Sequence, residues 1–160
     1  MGGRILLRAA LLFGAVLASQ SAPGQTLGDL AGNWVSREPA DSGGTFVTLY
    51  TIATAPGTMT VRSVGIRLEN GPNGASAGGG SDWLFELSAT GRDLTGTLLF
   101  RQTLRGLCNM PDLRLPVRGT ISADGKMLVL QYDFPRQQYD PCGWDRSMTT
   151  PTAVEFTRGQ

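Results

Sequence analysis

The chain contains no histidine. That removes the commonest general base at neutral pH and the commonest transition-metal ligand. It excludes Ser-His-Asp and Cys-His nucleophilic machinery. Cysteine is scarce as well: Cys108 and Cys142 are the only two, and without histidine they fall short of a tetrahedral zinc site. Lysine is nearly missing, since 13 of the 14 basic residues are arginine and Lys126 is the exception. Charged residues make up 17% of the chain and nearly cancel, at a net +1. This leaves no electrostatic case for nucleic acid or an anionic membrane. Heptads, internal repeats and long Ala/Glu/Lys runs are absent. No apolar run reaches the roughly 20 residues of a spanning helix. The carboxylates are scattered, with Glu86 and Asp133 on outward faces, and sequence alone pairs none of them for acid–base work. Asp112, Asp140 and Asp145 do not make a calcium loop. We therefore assign no catalytic residue, no metal and no cofactor.

Glycine, at 22 residues, is what the chain has most of, with nine prolines and abundant Thr. This composition favours strands and turns. Residues 1–22 have the form of a secretory signal. Arg4 and Arg8 form a basic region, Leu11 to Leu17 an apolar core, and Ala18, Ser19, Ser21 and Ala22 a small-residue cleavage region. No cysteine stands at its end to carry a lipid. A soluble periplasmic or secreted protein is expected, beginning between Ser19 and Thr26. Its charge, with Arg4 and Arg8 removed, is 12 basic against 13 acidic residues. In an exported protein Cys108 and Cys142 are expected to form a disulfide. Residues 23–29 read as a linker, with Asp29 as a cap for one helical turn, and 30–160 as a single domain.

The pattern predicts eight strands, at about 33–37, 45–54, 58–68, 82–89, 93–102, 113–122, 126–134 and 152–158, with an up-and-down barrel as the architecture. A β-sandwich is the alternative. Asp124-Gly125 is a favoured two-residue hairpin turn. It sets Ile121 opposite Leu128, Gly119 opposite Leu130, Val117 opposite Tyr132, and Leu115 opposite Phe134. Pro116 has no N–H, so it needs an edge-like position or a bulge. Asn70 to Ser81, with five glycines, reads as a surface loop, either a lid or a tolerated insertion.

Gly32-Asn33-Trp34, opening a chain of short strands, resembles the start of the lipocalin-like (calycin) β-barrels. The resemblance implies a closed eight-stranded barrel with Trp34 buried at one end. It also implies an arginine from the last strand across the indole, a place that Arg158 fills.

The inferred inward faces hold Val64, Ile66, Leu68, Trp83, Phe85, Leu87, Leu98, Phe100, Leu115, Val117, Leu128, Leu130, Tyr132 and Phe156. They are either a packed core or the wall of a pocket for a small apolar molecule, with Trp83, Phe85, Phe100, Leu130 and Tyr132 as its candidate contacts. Tyr132 is the clearest polar group among them, so the interior should be dry. The stretch around Cys142 offers a second reading. Tyr139, Trp144 and Arg146 are residue types enriched at protein-binding hot spots. They suit an exported inhibitor acting through its loops, or aromatics packed on the barrel rim. A carboxylate-only enzyme stands third. Membrane spans and nucleic acid are not expected among the mature protein's partners.

Overall fold

The computed structural model describes residues 27–40, 43–70, 81–104 and 108–159. The proposed leader, residues 23–26 of the linker and residues 71–80 of the glycine-rich loop lie outside the described residues, as does the Cys108 side chain. The strands are β1 (Gly32–Pro39), β2 (Thr45–Ala55), β3 (Thr58–Glu69), β4 (Ser81–Thr90), β5 (Asp93–Leu104), β6 (Cys108–Asn109), β7 (Leu113–Ile121), β8 (Met127–Tyr139) and β9 (Cys142–Arg158). All but the two-residue β6 close into an eight-stranded antiparallel up-and-down barrel, in which β9 returns to pair with β1. The sandwich alternative is not what forms.

Alternation supplies the core. Inward residues of the half nearest the start of β1 include Ile52, Met59, Val61, Phe85, Leu87, Leu98, Leu128, Leu130 and Phe156, all at most 3% exposed. Each such burial contributes about 1.5–3 kcal/mol before entropy is counted. This half of the barrel, the base, is solid. A 3-10 turn (Leu27–Leu30) tucks Leu30 against it. Asp29 lies within that turn rather than ahead of it. Gly32, at φ 127°, turns the chain into β1 through a conformation that a side chain would strain. The Trp34 indole N–H donates to the Leu30 carbonyl at 2.8 Å. The Arg158 guanidinium stands 5.6 Å from the Trp34 ring centroid, across the β1–β9 seam.

Three departures from plain alternation correct the expected faces. Leu49 pairs with Gly65 but Tyr50 pairs with Ser63, so Val64 bulges out of the ladder. Val64 is 62% exposed as a result, while Ile66 and Leu68 stay half-buried. One extra residue reverses the phase of everything beyond it.

The second departure concerns β7 and β8. Ile121 pairs with Leu128 and Gly119 with Leu130, but the ladder ends at Arg118–Gln131. The expected pairs Val117–Tyr132 and Leu115–Phe134 do not form. The two strands part close to Pro116, which offers no N–H and stays paired to Thr97 of β5. The turn itself is longer than expected. Ser122 N–H bonds the Met127 carbonyl at 2.9 Å, and the Asp124 carboxylate accepts from the Ser122 hydroxyl at 2.6 Å and Lys126 N–H at 3.1 Å.

The third departure is the stretch 135–151, expected as connection. It belongs almost wholly to a long β8–β9 hairpin. Pro135 pairs with Thr149 and Arg136 with Asp145, so Arg146, Ser147 and Met148 bulge out together. The Asp145 carboxylate accepts from both Ser147 N–H, at 3.0 Å, and Ser147 Oγ, at 2.6 Å.

Candidate ligand-binding cavity

Above the solid base the barrel opens into a cavity of about 600 Å³. Its aromatic wall comes from β4, β5 and β8, whose alternation brings Trp83, Phe100, Tyr132 and Phe134 inward. These rings touch edge to face: Trp83 to Phe100 at 4.4 Å and Phe100 to Phe134 at 5.3 Å between centroids. Such pairs add about 0.5–1.5 kcal/mol each beyond burial and hold the wall in shape. Across the cavity β2 contributes Phe46, Thr48 and Tyr50, and β9 contributes Thr150, Thr152 and Val154. Ser81, Gln102 and Glu38 complete the polar part of the lining. The interior is therefore not dry in the sense expected: hydroxyls, an amide and a carboxylate share it with the rings.

Glu38 projects inward as the third member of the β1 face that begins with Trp34 and Ser36. Ser36 is buried and hydrogen-bonds the Tyr50 hydroxyl. Burial pushes the Tyr50 phenol up to about 12, partly offset by the Ser36 and Thr48 hydroxyls, with the Glu38 charge adding to the rise. Burial also pushes the Tyr132 phenol up, further than that of Tyr50, and the Tyr50 and Glu38 charges act in the same direction. Both phenols stay neutral across the physiological range.

Of the expected contacts, Trp83, Phe100 and Tyr132 line the cavity. Phe85 and Leu130 do not. Each sits one inward step nearer the base than Trp83 or Tyr132, and both are 0% exposed within the packed half. Phe85 instead supports Tyr132 from below at 6.0 Å.

The loop candidates separate. Tyr139 is 57% exposed at the end of the hairpin, and Arg146 is exposed in the β9 bulge. Trp144 turns the other way. Its indole N–H donates to the Pro111 carbonyl at 2.8 Å, and its ring meets Phe134 at 5.5 Å and Phe100 at 5.7 Å. It backs the aromatic wall.

Sequence reasoning missed Glu38, Thr48, Tyr50, Thr150 and Thr152. A signal existed for the first three: Trp34, Ser36 and Glu38 share one parity, as do Phe46, Thr48, Tyr50 and Ile52. Among the described residues no group of three Cys, Asp or Glu could hold a metal ion, and no helix is long and apolar enough to cross a membrane. No protein-family model, curated protein or solved structure matches this chain.

Proposed function

We propose that this is an exported β-barrel protein that binds a small, mainly apolar ligand in the cavity. The observation that carries the reading is a cavity of about 600 Å³ walled by Trp83, Phe100, Tyr132 and Phe134 above a base that needs no ligand to be filled. Its size falls in the range of about 300–1,000 Å³ usual for small-molecule sites. A loop-acting protein would keep Trp144 for its partner, and here Trp144 is committed to Pro111 and the cavity wall. The Gly32-Asn33-Trp34 opening and its likeness to lipocalin-like barrels point the same way.

A neutral apolar dye, N-phenyl-1-naphthylamine, tests this. Saturable binding should change the tryptophan emission of the protein, and Trp83→Leu should remove most of that change. Trp34, 1% exposed in the base, reports little. Absence of saturable binding would transfer the case to the loops, with Tyr139→Ala and Arg146→Ala as the next variants.

Export rests on the leader, and a disulfide between Cys108 and Cys142 goes with it. The Trp144–Pro111 bond ties the segment just beyond Cys108 to the strand that Cys142 begins. The exported protein, unfolded without reductant, should show no reactive thiol to a maleimide dye. Reduction should cost about 3–4 kcal/mol, by a model-dependent loop-entropy argument. Two titratable thiols would refute the pairing.

A further inference from the structure

We propose that the cavity selects a protonated amine carried on an apolar body, with the Glu38 carboxylate as its counter-ion; this rests on the reading of the cavity as a ligand site. Among the described residues that line it, Glu38 is the only charged one, and no arginine or lysine is among them. Nearby arginines are paired on the outer surface instead, Arg62 with Asp82 at 3.3 Å, Arg67 with Glu69 at 2.6 Å and Arg101 with Asp112 at 3.0 Å.

The other polar groups of the lining are the hydroxyls of Thr48, Tyr50, Ser81, Thr150 and Thr152, and the Gln102 amide. None can supply a positive charge. A bound carboxylate would lose hydration, meet Glu38 and find no cation among the described lining residues in return. A bound ammonium has two kinds of favourable partner, the Glu38 carboxylate and the neutral hydroxyls as acceptors, while its apolar body meets the aromatic wall. The negative field of Glu38 reaches across the cavity, because it acts on Tyr50 of β2 and on Tyr132 of β8 alike. Glu38 itself stands at the exposed rim, so the expected selectivity is moderate rather than extreme.

Three probes of one shape separate the possibilities by calorimetry at neutral pH: 1-naphthylmethylamine, 1-naphthalenemethanol and 1-naphthoate. The amine should bind about tenfold more tightly than the alcohol, and the acid more weakly than both. Glu38→Gln should collapse the amine-over-alcohol ratio to within about threefold, with thermal melting used to verify the fold of the variant. An equal response to all three probes, or a ratio indifferent to Glu38→Gln, overturns the amine selectivity and leaves the cavity as a ligand site. Tightest binding by the acid overturns it likewise. Binding of none of the three overturns the ligand-site reading itself.

Discussion

Gly96→Ala is expected to destabilise the barrel by about 3 kcal/mol, lowering the melting temperature by about 10 °C. Gly96 lies on the inward parity of β5, between Leu94 and Leu98, where β5 pairs with Leu87 of β4 and Val117 of β7. A methyl group there would run into the Glu86 carbonyl oxygen and come within 2.9 Å of Leu87 Cα. Both obstacles are backbone in a paired strand, so neither can step aside without breaking the ladder. Gly119 repeats the situation on β7, where an added methyl would lie 2.5 Å from both the Val129 carbonyl oxygen and Leu130 Cδ2, and only the leucine can yield. Strands meeting this closely let a small barrel curve shut, and an inward glycine is what permits it. Gly65 serves as the control. Nothing lies within 4 Å of its added methyl, and Gly65→Ala should change stability by less than about 1 kcal/mol. Thermal melts of the three variants decide the matter. A Gly96→Ala melt equal to that of Gly65→Ala would contradict the close strand approach.

Alkali should unfold the protein in a window set by two tyrosines. The Tyr50 phenol is raised from its ordinary value of 10 to about 12 by burial, and Tyr132 is raised further by the same cause. Each is neutral in the folded state and ionises more readily once unfolded. Their contribution is therefore complete below pH 10 and is lost as the pH climbs through 10 towards 12 and beyond. Tyr50 alone accounts for about 2–3 kcal/mol over that interval, and at 4% exposure little of it is screened away. The basic residues do not compete, since nearly all are arginine and keep their charge. Circular dichroism followed from pH 9 to 12.5 should show a cooperative loss of sheet. Tyr132→Phe should move the onset upward. Stability that stays flat to pH 12 would mean that the phenols reach water.

The barrel could be read from the chain because its signal is local. Alternation such as Trp83-Phe85-Leu87 and turns such as Asp124-Gly125 each constrain one hairpin, and an up-and-down barrel is hairpins in sequence. The aromatic wall followed from the same parity. The polar wall did not, because proline misled twice. Glu38 precedes Pro39 and falls just past the strand expected at about 33–37, yet β1 continues to Pro39. Thr150 and Thr152 flank Pro151, which pairs with Asp133 inside β9. Bulges were invisible for a different reason. One extra residue at Val64, or three at Arg146 to Met148, leaves no mark in composition and depends on how neighbouring strands fit. The depth of the cavity shared that fate: the same apolar parity runs through Phe85 and Trp83, and only packing decides which is core and which is wall.

The seam between β1 and β9 has a consequence for chain connectivity. Gly159 N–H bonds the Asn33 carbonyl at 3.0 Å, so the two ends of the barrel lie side by side at the base. The backbone is topologically a ring with one cut, and the position of that cut is immaterial to the cavity. A linker could join Gly159 to Leu27, so that the Leu27–Leu30 turn stays beneath Trp34, and new termini could be opened between Glu69 and Ser81, with every strand pair kept. In such a circular permutant β4 would come first and β3 last, their pairing would replace β1–β9 as the closure between distant ends of the chain, and the same side chains would line the cavity.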